Sequence, residues 1–259
     1  MDKNNNTFWD QHPCGNLSND KYKNIEYRKK KEPFLKDLIY SLNFKNETNF
    51  LEIGCGQGLE AFYLIKILNS TNSKYYGIDV SSKSIIEADK LFKMANLEKY
   101  ELHSMDANDL SRLFQDSYFD FIFSFGVLHH TEATFDIINN VVFKILKGNS
   151  SSMIFLYNKH SPKVFVALLL RRFSNLIDKL FKKENYIYNF LKNNLSNYLK
   201  DTMLYECFGV PILKAYTKKE IYNFIDQNKF NVEVRKYDNK KIFKNFLPYM
   251  HQIILTSKK

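Results

Sequence analysis

Three glycines spaced two residues apart, Gly54, Gly56 and Gly58, follow directly on the apolar run Phe50-Leu-Glu-Ile53. In a strand-to-helix turn, glycine accepts positive φ and lets backbone amides approach a nucleotide-like molecule closely. The G-x-G-x-G spacing departs from the G-x-G-x-x-G of a dinucleotide fingerprint, whose last glycine seats the helix on the strand with a pyrophosphate at its N-terminus. Glu52 sharpens the distinction. A carboxylate beside the turn repels a pyrophosphate and attracts a ligand bearing an ammonium and a sulfonium, as S-adenosylmethionine does. Within the turn, Cys55 is expected to offer its backbone amide while its thiol packs inward. A second acid, Asp79, lies 21 residues past Gly58, the distance at which the tip of a second strand reaches ribose hydroxyls. That spacing alone suits NAD equally.

These residues need a scaffold, and the pattern of the first half supplies one. Residues 59–68 read as a helix ended by the polar tract Asn69–Ser73, and Lys74–Val80 as a second strand. Ser84-Ile-Ile-Glu87 matches a capping box, and a helix to about Asn96 brings Ile85, Ala88 and Phe92 onto one face. A third strand over 97–103 ends near Met105-Asp-Ala107. The continuous apolar run Phe119–Ser124 is typical of a strand covered on both faces. A helix over 135–146 and a strand over 152–157 complete five βα steps. Thr217-Lys-Lys-Glu220 is another capping box, opening a helix to about Asn228, and 230–236 and 251–256 read as the last strands.

The chain resembles the class I S-adenosylmethionine-dependent methyltransferases, of the bacterial small-molecule methyltransferase-domain type. The matching pieces are Leu51-Glu-Ile-Gly-Cys-Gly-Gln-Gly58, Gly77-Ile-Asp-Val-Ser81, Asp106-Ala107 and Ser124-Phe-Gly-Val-Leu-His-His-Thr131, over about residues 45–157. The resemblance implies an α/β, Rossmann-like fold with a seven-stranded, mostly parallel sheet in the order 3-2-1-4-5-7-6 and a helical cap insertion. It implies cofactor contacts from Glu52, Gly54, Cys55, Gly56 and Gly58 around the methionine and ribose, from Asp79 and Val80 at the ribose, and from Asp106 and Ala107 against adenine, with Ser124 a further cofactor-binding candidate. One departure is visible: where the family has a Lys-Pro-Gly-Gly turn before strand five, this chain has Lys147-Gly-Asn-Ser-Ser151.

Two flanking regions complete the expected organisation, a segment over 1–44 and a main domain over 45–259 with its cap at about 160–216. Phe8-Trp-Asp-Gln-His-Pro-Cys-Gly15 carries the single Trp, and a Lys-rich helix over 22–34 contains Tyr27. By the same resemblance this segment covers the cofactor, with Tyr27 at the methionine end; packing of Trp9 and Tyr27 onto the sheet explains them equally. In the cap, Lys163, Arg171, Arg172, Lys179, Lys182, Lys183, Lys192 and Lys200 face only Asp178 and Glu184. Such a basic amphipathic stretch reads as a solvated cap, as a cover for an anionic small-molecule substrate, or as a membrane-surface element. Because it sits at the carboxyl ends of the strands, substrate selectivity is expected there. Residues 203–210, with Tyr205, Glu206 and Cys207, are further lid candidates.

Composition narrows the classes. The net charge is +10, from 38 Lys and Arg against 28 Asp and Glu, but no RNA-binding signature accompanies it, and nucleic acid is disfavoured as a partner. Three scattered cysteines make neither a disulfide framework nor a zinc site. The polar start lacks a signal peptide and no apolar run approaches a bilayer span, so the expectation is a cytoplasmic protein.

Methyl transfer from a sulfonium needs alignment and exclusion of water more than acid–base chemistry. A base helps only when the acceptor is protonated. His129 and His130, just past strand four, are the catalytic candidates for that duty, an unperturbed imidazole titrating near neutrality; shaping the wall of the site is the competing role. No metal is expected of adjacent histidines without further ligands. Tyr157, Asn158 and His160, where strand five meets the cap, are the substrate-binding candidates. The reading is methyl transfer from S-adenosylmethionine to an N, O or S atom of a small molecule. The alternatives are an RNA or protein methyltransferase, an NAD(P)-dependent oxidoreductase, and a non-catalytic cofactor-binding protein.

Overall fold

The computed structural model describes residues 3–13, 18, 20–32, 38, 47–64, 68–69, 71–181, 186–194, 209–236 and 250–259. Cys14, Gly15 and the lid candidates Tyr205, Glu206 and Cys207 lie outside these residues. Two helices, α1 (Lys3–Gln11) and α2 (Lys21–Lys31), precede the sheet, the second capped by Asp20, whose carboxylate accepts from the amides of Tyr22 and Lys23.

Seven strands form one sheet, β1 (Asn49–Ile53), β2 (Lys74–Asp79), β3 (Tyr100–Ser104), β4 (Phe119–Phe125), β5 (Leu146–Tyr157), β6 (Phe230–Lys236) and β7 (Met250–Ser257), in the order β3-β2-β1-β4-β5-β7-β6. The first five are parallel, and β7 runs antiparallel to both β5 and β6. The order reverses direction at β1 and β4, the place where an open α/β sheet forms its ligand crevice.

Alternation along each strand sends side chains to two cores. Leu51, Ile53, Ile78, Ile122 and Ile154 pack on one face with the helix over 134–145 (α5), whose middle, Ile137–Val142, is wound as a π-helix. Phe50, Tyr75, Phe123 and Phe155 fill the other with Leu91 and Phe92 of α3 (Ser82–Met94). That second core is aromatic: Phe50 stacks between Tyr75 and Phe121 at centroid distances of 5.8 and 5.6 Å.

Three local expectations differ from the structure. The helix over 59–68 begins, among the described residues, as a 3-10 turn, Ala61–Tyr63, and is helical again at Leu68 and Asn69, where the Leu68 amide donates to the Leu64 carbonyl at 2.9 Å. Leu59, Glu60, Ala61, Tyr63 and Leu64 are all buried, on every side of the turn, a pattern that a one-faced surface helix does not produce. The cap of α3 is Ser81, whose hydroxyl accepts from the Ser84 amide, and not the box proposed at Ser84–Glu87. The divergent Lys147–Ser151 segment joins β5 itself, with a register shift against β4 between Phe119 and Phe121, and Lys147 is paired with Asp120 at 2.7 Å. The capping box at Thr217–Glu220 is formed in full at the start of α8 (Lys218–Phe224). The cap contributes α6 (Pro162–Phe181) and α7 (Tyr186–Asn194), with α4 (Leu110–Leu113) following β3.

Candidate functional site

A cavity of about 270 Å³ opens above the carboxyl ends of β1, β2 and β4. Its first half is backbone. Gly54, Gly56 and Gly58 all hold positive φ. At Gly56 (φ 52°) a Cβ would point into open space, so the turn leaves a bare concavity, whereas at Gly58 it would strike the Phe92 ring at 2.5 Å. The first glycine therefore shapes the cavity, and the second lets α3 approach the turn. The amides of Gly54 and Cys55 both donate to the Ile78 carbonyl, at 2.8 and 2.9 Å. The amide expected of Cys55 as a ligand donor is thus engaged in fixing the turn, and its thiol is buried, as anticipated.

Asp79 closes this half. Its Oδ2 accepts from the Gly56 amide at 2.9 Å and its Oδ1 from the Ser81 amide at 2.9 Å, tying the tip of β2 to the glycine turn. Burial raises its carboxyl to about 6, against the pull of those two amides and with a small push from Asp10. Val80, Asp106 and Ala107 continue the wall. Asp106 is itself a cap, accepting from the Asn108 amide at 2.9 Å.

The second half is made of side chains. Trp9 of α1 meets the edge of His130 at 5.5 Å between centroids, and Tyr157, Phe125, Ile212 and Met250 complete the apolar part. The His130 Nδ1 lies 2.7 Å from the Ile212 carbonyl, which can only accept, so Nδ1 carries a proton there. The segment over 212–216 holds this loop: Lys214 donates its amide to the His129 carbonyl at 3.0 Å, and Tyr216 donates its amide to the Tyr157 carbonyl at 2.9 Å.

His129 takes a different position from its neighbour. It is fully buried behind the wall, with its ring stacked on Tyr157 at 3.8 Å. Burial drives its pKa well below the usual imidazole value, His130 adds to this, and the Phe155 backbone opposes it, so the ring is neutral.

Other expected residues also stand off the cavity. Glu52 lies beneath the turn, where its carboxylate accepts from the Tyr75 hydroxyl at 2.5 Å; burial first, and Glu60 second, raise its pKa well above the ordinary carboxylate value. Ser124 is buried and donates its hydroxyl to the Ile53 carbonyl at 3.1 Å. Asn158 turns back on the His160 amide at 3.0 Å, and His160 is exposed. Tyr27 is half-buried and outside the wall, while Arg28 beside it is part of the wall.

Arg28 is the main feature that sequence reasoning missed. Its Nε donates to Glu60 Oε1 at 2.7 Å and its guanidinium lies 5.3 Å from the Phe125 ring centre, tying α2 to the turn after β1. Two further ties hold the N-terminal helices over the site. The Ser81 hydroxyl donates to Asp10 at 2.8 Å, and Lys21 pairs with Glu87. Lys163, from the basic cap stretch, joins the wall, while Ile212 and Met250 are wall residues without any local sequence signal.

The wall carries five acids, Glu32, Glu60, Asp79, Asp106 and Glu132, against three bases, Arg28, Lys31 and Lys163. With the Gly56 concavity, this balance fits a ligand that bears positive charge and an adenosine-like body. Among the described residues no group of three or more His, Cys, Asp or Glu is arranged to hold a metal ion.

A family model described as "Methyltransferase domain" matches residues 44–231. A stretch of 111 residues is 32% identical to the "Non-reducing polyketide synthase ausA" of Emericella nidulans, covering 42% of this chain and 4% of that far longer protein. Among solved structures, a SAM dependent methyltransferase from Aquifex aeolicus superposes with a TM-score of 0.56 at 14% identity, covering 93% of this chain and all of that one. PKMT2 from Rickettsia typhi, in complex with AdoHcy, has a TM-score of 0.56 at 17% identity, covering 82% of this chain and 49% of that one. At these identities the structural likeness is one of fold.

Proposed function

The chain belongs to the methyltransferase-domain family, and from that premise we propose that it moves the methyl group of S-adenosylmethionine, in line, to an N, O or S atom of a small molecule. It is an S-adenosylmethionine-dependent methyltransferase. The observation that carries the cofactor half of this reading is the Asp79 carboxylate bound to the Gly56 amide at the rim of the cavity.

When bound, the cofactor supplies a methyl group on a positively charged sulfur, already a good leaving group. The work left to the chain is positioning. Asp79 would accept from the ribose hydroxyls, the Gly54–Gly56 turn would hold the methionine part, and Asp106 with Ala107 would hold the adenine. Trp9 and Tyr157 exclude water from the acceptor side, which raises the weight of every electrostatic contact there. His130, with Nδ1 committed to the Ile212 carbonyl, takes the acceptor's proton on Nε2 when the acceptor is a hydroxyl or an ammonium. His129 and Glu52 act from behind the wall, His129 by backing Tyr157 and Glu52 by supporting the floor of the turn. Residues 1–44 serve as the cofactor cover.

A small acceptor is favoured over RNA because the wall is net acidic and helix α1 stands over the cavity through Trp9. A polyanion would meet repulsion at its target atom.

The test pairs calorimetry with S-adenosylmethionine and its demethylated product with a labelled-methyl screen of metabolite extracts. Heat with both ligands and label in a small compound are expected. Binding of NADH in their place, or label found only in RNA or protein, overturns the reading.

A further inference from the structure

The outer face of α6 has no counterpart elsewhere on the described surface. Phe165, Val166, Leu169, Phe173, Leu176 and Leu180 are each between 49% and 70% exposed. At 3.6 residues per turn they fall within an arc of about 100° and run about 22 Å along the helix. Isolated apolar side chains are ordinary on a surface; a continuous stripe of six large ones marks a contact face.

The rim of the stripe identifies the contact. Arg172 and Lys179, both exposed, follow one edge, and exposed Lys163 lies at the other. The exposed positions of α6 include no acid: Asp178, the only one on the helix, is half-buried, two turns along the helix from Arg171, which donates to the Pro211 carbonyl at 2.5 Å. An apolar stripe bordered by cations alone complements a surface that is apolar inside and anionic at its headgroups. No described helix is long and apolar enough to cross a membrane, so this one would lie along the interface.

We propose that the Phe165–Leu180 face of α6 docks on an anionic membrane surface. The six side chains enter the acyl boundary while Lys163, Arg172 and Lys179 meet lipid phosphates. Lys163 is also part of the cavity wall, so the docked chain turns the mouth of its site toward the lipid. This inference stands independently of the methyl-transfer reading.

Flotation of the full chain with vesicles tests it. Binding is expected to vesicles of phosphatidylcholine and phosphatidylglycerol in equal parts, and to be at least tenfold weaker with phosphatidylcholine alone or in high salt. Replacing both cations, Arg172→Glu with Lys179→Glu, should weaken it by about thirtyfold, from roughly 1 kcal/mol for each cation lost. Phe173→Glu with Leu176→Glu should abolish it with the thermal midpoint unchanged. Absence of wild-type binding overturns the proposal, as does binding that survives both double variants. A concentration-dependent dimer that dissociates in Phe173→Glu would also overturn it, by assigning the face to a second copy of the chain.

Discussion

The two elements that flank the cavity are attached differently. The N-terminal helices are held by directed polar contacts, Asp10 to Ser81, Lys21 to Glu87 and Arg28 to Glu60, which reach the turn after β1 or α3, and by Ile25, buried in the second core. Helix α6 is held through Val164 and Arg171 and points its bulkiest apolar residues outward. A Lys-rich helix thus ends up as a fixed part of the site, and a Leu- and Phe-rich helix as a presented surface. The lesson is that hydrophobicity decides what is buried only where a partner surface exists, while charge pairs fix position wherever both members lose water together.

Breaking the Arg28 tie should produce the largest effect. Arg28→Ala leaves Glu60 beside the buried Glu52 with no cation, and urea denaturation should show a loss of about 3 kcal/mol. Adding Glu60→Gln should recover most of it; a single variant within error of wild type would show that the cover is not held in this way.

Asp79 sharpens the comparison next, because it joins the site and not the cover. Asp79→Ala should weaken S-adenosylmethionine binding by about 1–3 kcal/mol in calorimetry, through lost hydrogen bonds to a charged acceptor. Its pH dependence has a defined sign. The folded carboxyl titrates at about 6 and the ordinary value is 3.8, so its contribution to the stability of the unliganded chain is fully present below the lower value and is lost as pH rises through the upper one. The carboxylate proposed to accept ribose hydroxyls forms over that same interval. Cofactor affinity should therefore rise from about pH 5 to about pH 7 and flatten in Asp79→Asn. An identical slope in that variant would assign the titration elsewhere.

The smallest effect is expected on the cap. Phe173→Glu should change folding stability by no more than about 0.5 kcal/mol, as for an exposed site that supports no packing. A loss several times larger in the same denaturation assay would place Phe173 inside a contact and weaken the contrast drawn between the two regions.

Much of the fold is legible locally. The strands read at 50–53, 74–80 and 230–236, the glycines after β1 and the capping box at Thr217 depend on neighbours a few residues away. Each matches the structure to within a residue or two. The 3-10 winding at Ala61–Tyr63 was not legible, because the apolar pattern over 59–68 does not separate it from the helical residues Leu68 and Asn69 that follow. The histidine pair is a similar case. Adjacent in sequence, His129 and His130 differ only because the backbone turns one under Tyr157 and the other toward Ile212.

Sequence alone determined the order of the elements, the glycine turn and the acid at the tip of β2, since these rest on backbone conformation and on spacing along one chain. Tertiary structure alone decided which of Tyr27 and Arg28 enters the wall, which histidine meets the cavity, and that Glu52 faces Tyr75 instead of a ligand. Those outcomes depend on long-range packing, in which a rotation of one residue along a helix or strand exchanges inside for outside.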